Sequence, residues 1–137
     1  MKKEVILFFI VLTTLFLVSN YLENYKLERV IDVIDGDTIK LTEYRSVRLI
    51  GINAPEIGEN CYQEAKDKLK ELVRGKKIRL EKDRTDKDEY GRLLRYIYVN
   101  DLFVNYEMIR LGLARFEEIE PNTKYSELFS DLENKAR

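Results

Sequence analysis

LERVIDVIDGDTIKLTEYRSVRLIGI, residues 27–52, decides the fold. Three runs dense in Val, Ile, Leu and Thr, at 27–34, 37–43 and 46–52, are separated by Asp35-Gly36 and by Tyr44-Arg45. Asp-Gly between apolar-alternating runs is a strong hairpin signal, so the stretch predicts a three-stranded antiparallel meander. Downstream, Asn60 stands three residues before Gln63, the spacing of a reciprocal helix cap. Cys61, Ala65, Leu69, Leu72 and Val73 then recur on one face until Gly75. That predicts an amphipathic helix with Cys61 as a small buried apolar residue. Strands follow at about 76–83 and 92–99 around the polar loop Arg84 to Glu89, and a second helix at Phe103 to Leu111 ends before Gly112. A third is expected from near Asn122, with Tyr125, Leu128, Phe129 and Leu132 inward. Five strands with about three helices indicate an α+β domain, a small, partly open barrel of the oligonucleotide-binding type.

Upstream lies a different kind of segment. Lys2 and Lys3 precede a run from Val5 to Val18 whose only polar members are Thr13 and Thr14. A basic start followed by an apolar run reads as a signal peptide or a membrane anchor over residues 1–23, with the folded domain at 24–137. Either reading puts the domain outside the cytoplasm, secreted or membrane-anchored.

Composition limits the chemistry. A chain that is 45% hydrophobic and 36% charged has enough apolar side chains to build a core, and disorder is not expected. There is no histidine and only one cysteine, so an imidazole base, an intramolecular disulfide and an ordinary zinc site are ruled out. Any metal must be a hard cation held by oxygen. The net charge of −1 gives no bulk attraction for polyanions, so a nucleic-acid partner would have to meet local patches. One such group is Lys66, Lys68, Lys70, Arg74, Lys76, Lys77 and Arg79, readable as a solvated face or as a track for a phosphate backbone.

Three short segments concentrate residues that suit phosphate chemistry. Asp35 and Asp37 flank Gly36, where a tight reversal brings two carboxylates together. Arg48 lies in an apolar strand, and Arg92 follows Tyr90-Gly91; planar, permanently charged guanidinium groups pair with phosphate oxygens two at a time. Glu56 follows Ala54-Pro55, where proline restrains the backbone beneath the carboxylate. With VIDGDTI at 33–39, VRLIGINAPE at 47–56 and YGRLL at 90–94 in this order, the sequence resembles the staphylococcal nuclease family, and LFVNYEMIRLGLA at 102–114 extends the likeness across the domain.

The resemblance implies a Ca²⁺-dependent endonuclease that hydrolyses DNA and RNA on the 5′ side of the phosphate and leaves 3′-phosphate ends. It implies that Asp37, the Thr38 carbonyl and residue 53 cradle the cation with Asp35 in support. Arg48 and Arg92 would stabilise the transition state, and Glu56 would act as general base. Where the family pattern carries an aspartate, position 53 is Asn53: a carbonyl oxygen remains for ligation but one negative charge is gone, which should weaken cation affinity. The alternative is a catalytically weakened module of the same fold that binds nucleic acid or protein. A monomer is expected.

Overall fold

The computed structural model describes residues 1–136, without the side chain of Asn24. A leading helix, α1 (Lys2–Asn24), is followed by β1 (Leu27–Asp35), β2 (Thr38–Leu41), a short 3₁₀ turn (Thr42–Tyr44), β3 (Ser46–Leu49) and β4 (Ile52–Asn53). Then come α2 (Tyr62–Val73), β5 (Lys77–Glu81), β6 (Leu93–Val99), β7 (Leu102–Phe103), α3 (Val104–Arg110), β8 (Arg115–Phe116) and α4 (Ser126–Ala136). The three domain helices expected from the sequence are α2, α3 and α4.

β1 is the spine of the sheet. It pairs antiparallel with β2 through Val30–Leu41 and Asp35–Thr38, and with β5 through Leu27–Arg79 and Arg29–Lys77. Register shifts at Val30/Asp32 and Val33/Asp35 bend the strand, as bulges do, so its two halves serve two neighbours. β2 pairs β3, β5 pairs β6, and a parallel pairing of β3 with β6 closes the ring of five. Closure removes the open edges that a flat meander would expose. Inside lie Val30, Ile39, Leu41, Val47, Leu49, Ile78 and Ile97, which α2, α3 and α4 cover with Leu69, Met108 and Phe129. The architecture is the five-stranded oligonucleotide-binding type of barrel expected from the sequence.

Several local expectations are corrected. The run 46–52 is broken at Ile50-Gly51: Gly51 takes a φ of 78°, and a Cβ there would sit 2.7 Å from the Phe129 ring, so the chain turns and resumes as β4 beside β8. The cap built from Asn60 and Gln63 does not form. Cys61 enters α2 with a left-handed φ of 65°, and the Gln63 amide donates instead to Asp67 one turn on (2.8 Å). Cys61 is exposed rather than buried, because that backbone flip takes it off the apolar face kept by Ala65, Leu69 and Val73. The last helix starts at Ser126, not near Asn122, and Leu128 faces solvent. Asn122 is buried in the preceding loop, where its side-chain oxygen accepts the N–H groups of Arg84 and Thr85 (both 2.8 Å).

α1 stands outside the core. Its apolar residues from Val5 to Val18 are exposed, and by length and composition it is sufficient to cross a membrane.

Candidate active site

The β1–β2 turn carries the first pair of carboxylates. Asp35 pairs with Thr38 across the turn, leaving Gly36 and Asp37 at its tip, and the Asp35 Oδ1 accepts the Asp37 N–H (3.1 Å). Gly36 is required by close approach: a Cβ would lie 2.6 Å from the Ala54 Cβ and 2.8 Å from the Ala65 Cβ. The turn is thus pressed between the loop after β4 and the first half of α2.

Asp37 is buried, and both of its carboxylate oxygens have partners, Oδ2 only one among the described residues. The Thr38 hydroxyl donates to Oδ1 (2.9 Å), the Ala54 N–H donates to Oδ2 (2.8 Å), and the Arg48 Nε lies 3.3 Å from Oδ1. Burial pushes the Asp37 carboxyl up from 3.8 to about 6; the Arg48 charge and the Ala54 N–H pull the other way, and Asp35 adds to the rise. Desolvation therefore outweighs the pairing.

Arg48 reaches Asp37 because β2 and β3 are in register, Thr38 opposite Arg48. Its Nη1 donates to the carbonyls of Leu49 and Ile52 (both 2.7 Å), and Nη2 lies 3.4 Å from the Glu117 carboxylate. A guanidinium held at three points is oriented, not floppy. Glu117, next to β8, was not singled out by sequence reasoning; its only signal is its place just after a strand that pairs with β4.

The structure brings Asp35, Asp37, Thr38 and Arg48 into one cluster, and Ala54 ties the loop bearing Asn53 and Glu56 to it. Asn53 is exposed opposite Arg115 and lines a groove of about 670 Å³ with Pro55, Glu59, Cys61 and Leu113. Glu56 is exposed in the loop beyond Pro55, its own N–H donating to the Glu59 carboxylate (2.7 Å). Arg92 has its partners outside this cluster. Its Nε donates to Asp88 (2.6 Å), and the guanidinium lies 5.4 Å from the Tyr90 ring centroid, in a 260 Å³ pocket shared with Tyr44, Arg45, Ser46 and Lys87. That pocket adjoins the cluster through β3, whose Ser46 and Arg48 are two residues apart.

The donor atoms offered by Asp35, Asp37, Thr38 and Asn53 are all oxygens, the chemistry of a hard cation. Two carboxylates opposed by one guanidinium leave little net negative charge. Among the described residues no group of three or more Asp, Glu, His or Cys converges as a ready cage. The residues fit a cation that completes its shell with water or phosphate oxygens.

Comparison with known proteins agrees with this geometry. Residues 46–137 match the family described as staphylococcal nuclease homologue. The chain is 36% identical over 123 residues to a thermonuclease of Staphylococcus hyicus, covering 83% of this chain and 73% of that protein. It is 41% identical over 115 residues to the SPbeta prophage-derived endonuclease YokF of Bacillus subtilis (strain 168), covering 76% of this chain but 39% of that protein. To endonuclease YncB of the same strain it is 39% identical over 127 residues, covering 85% of this chain and 59% of that protein. The two Bacillus relatives are thus considerably longer than the part this chain matches. A family match over two thirds of the chain, on a closed barrel with the Asp37–Arg48 pair at its rim, establishes that the chain belongs to the staphylococcal nuclease family.

Proposed function

We propose that this protein is a metal-dependent nuclease that hydrolyses phosphodiester bonds of DNA and RNA and uses Ca²⁺. Its cation would be held by Asp37, the Thr38 carbonyl and Asn53, with Asp35 steadying Asp37 through the turn. When bound, such a cation polarises the phosphate and offsets the charge that gathers on it. The observation that carries the reading is the buried Asp37 carboxylate held 3.3 Å from Arg48 and anchored by Ala54 N–H to the loop bearing Glu56.

The residues divide the work as follows. Arg48, whose other N–H groups face Asp37, Glu117 and two carbonyls, offers a phosphate oxygen the remaining N–H of Nη2 and its fixed charge, and Arg92 donates from the neighbouring pocket; a guanidinium has five N–H donors, and the Asp88 contact of its Nε uses one. Glu56, exposed on a restrained loop, takes the proton of the attacking water. Water adds to phosphorus and the P–O5′ bond breaks; the departing 5′ oxygen takes a proton from solvent, leaving a 3′-phosphate and a free 5′-hydroxyl, and Glu56 returns its proton to solvent. The domain acts as a monomer outside the cytoplasm, with α1 as an export segment or tether.

A second reading has a specific observation behind it. Asn53 supplies no charge, and Arg48 already satisfies Asp37 and Glu117, so a site too weak in cation affinity to cleave would leave a nucleic-acid-binding module. Digestion of single-stranded DNA with Ca²⁺, Mg²⁺ or Mn²⁺ separates the two. Cleavage with Ca²⁺ and 3′-phosphate ends supports the nuclease, and Asn53→Asp is expected to lower the Ca²⁺ concentration needed. Binding of DNA with no cleavage under any of the three cations would establish the module instead.

A further inference from the structure

β1 joins two ends of the molecule. Its first residue, Leu27, follows α1 after only Tyr25 and Lys26, and its last, Asp35, lies at the carboxylate cluster. Eight steps of about 3.3 Å put those ends up to about 25 Å apart, less the bend at the two bulges. α2 runs the opposite way along it. Ala65, early in α2, meets Gly36 at the cluster end, whereas Val30 exchanges backbone hydrogen bonds with Gly75 and Lys76 (2.9 and 3.2 Å) just beyond the end of α2. Cys61 is therefore at the cluster end of the barrel, and Lys76 and Lys77 are toward the α1 end.

The α1 end is basic. Lys26, Arg29, Lys76 and Lys77 are exposed there, and Arg79 stacks over the Tyr98 ring at 4.0 Å beside Tyr25 and Leu27. Opposing them are Glu23, Asp101 and Glu28, the last paired with Arg45 at 3.0 Å and with Lys26 at 3.6 Å, which leaves Arg29, Lys76, Lys77 and Arg79 as the patch's uncompensated cations among the described residues. At the last turn of α1, the rings of Tyr21 and Tyr25 lie 4.5 Å apart, aromatic residues of the kind that settle at headgroup depth. The three Cα steps from Asn24 to Leu27 reach at most about 11 Å even when fully extended, comparable to the roughly 8 Å screening length at physiological salt.

We propose that, with α1 retained in a bilayer, this basic base of the barrel seats on anionic phospholipid headgroups and holds the catalytic cleft at the opposite end of β1, up to about 25 Å out and facing away from the membrane. The inference rests on the tether reading of α1. The same lysines could in principle track a nucleic-acid backbone, but they sit at the end of β1 far from Asp37, whereas the membrane is delivered to them by the helix itself. Near a charged bilayer each basic residue favours the seated state about fivefold.

The test uses the full chain in phosphatidylcholine vesicles with and without phosphatidylglycerol, doped with a headgroup nitroxide quencher. A fluorophore is attached from outside either to Cys61 or to Lys77→Cys in a Cys61→Ser background. The expected result is flotation with the vesicles, strong quenching at position 77 that increases with phosphatidylglycerol, and little at position 61. Lys26→Glu with Lys76→Glu should shift position 77 toward the unquenched level, by at least about fivefold for each residue, since each replacement removes one charge and adds its opposite. Failure to float refutes the tether, and the seat with it. Flotation with equal quenching at both positions, or quenching indifferent to phosphatidylglycerol, leaves the tether standing and refutes the seat. Unchanged quenching in the charge-reversed variant, with weakened binding of single-stranded DNA, would assign the patch to nucleic acid instead.

Discussion

Replacing Asp37 by asparagine is expected to stabilise the protein at neutral pH while abolishing its activity. The Asp37 side chain is only 7% exposed, and its carboxyl is raised from 3.8 to about 6. At about 1.4 kcal/mol for each tenfold change in proton affinity, holding it ionised above pH 6 costs about 3 kcal/mol of folding stability. The sign follows from the direction of the shift. Between pH 3.8 and about 6 the native state keeps a proton that the unfolded chain has released, so this contribution is present below pH 3.8 and is lost as the pH rises through about 6. Asparagine keeps a carbonyl for the Ala54 N–H and never ionises. Wild type and Asp37→Asn should therefore melt together near pH 3.5 and diverge by pH 7.5, the variant being higher by about 10 °C for a domain of this size. Glu28, Asp86, Asp88 and Glu107 are shifted the other way by their arginine partners and strengthen the fold as the pH rises, but they are common to both proteins and cancel in the difference. Thermal unfolding by circular dichroism from pH 3.5 to 8 is the assay. A variant no more stable than wild type at pH 7.5, or a difference independent of pH, would refute the reasoning.

Arg48→Ala should lower single-stranded DNA cleavage by about 10²–10³, the scale for losing one preorganised donor, and Arg48→Lys should recover little because a lysine has no fork to span Asp37, Leu49 and Ile52; substantial recovery in initial-rate assays would count against the geometry. Gly36→Ala forces a methyl to 2.6 Å from the Ala54 Cβ and should cost about 1–3 kcal/mol in urea unfolding, with activity falling as the turn carrying Asp35 and Asp37 shifts. Asn122→Ala strips the Arg84 and Thr85 N–H groups of their acceptor and should destabilise by about 2–4 kcal/mol. An unchanged urea midpoint would show that water takes its place.

Most short-range signals in the sequence held, the Asn60–Gln63 cap excepted. Asp35-Gly36 marks the hairpin, the spacing of Ala65, Leu69 and Val73 marks α2, and the run from Val5 to Val18 marks α1, because each is decided by residues close in the chain. What escaped is long-range. Gly51 breaks the third strand only because Phe129 occupies the space above it, 78 residues later. Cys61 left the apolar face through a backbone flip that no periodicity records. The partners Glu117 of Arg48 and Asp88 of Arg92 are ordinary acids until the fold places them. The candidate site was legible as residue types at Asp35, Asp37, Thr38, Arg48, Asn53, Glu56 and Arg92. The sequence could not indicate that Arg92 would be held in an adjoining pocket rather than in the Asp37 cluster.

The parallel seam between β3 and β6 bears on how the protein is made. It pairs Val47 with Leu93 and Arg48 with Leu94, residues separated by α2, β5 and the loop that follows. Such a pairing must overcome the entropy of closing a long loop before any contact rewards it, so it forms late relative to the β1–β2 hairpin. Arg48 lies on that seam. β2 and β3 pair locally, with Thr38 opposite Arg48, so the growing chain gathers its carboxylates and the arginine facing them in one meander, and the seam then locks that arrangement into the closed barrel.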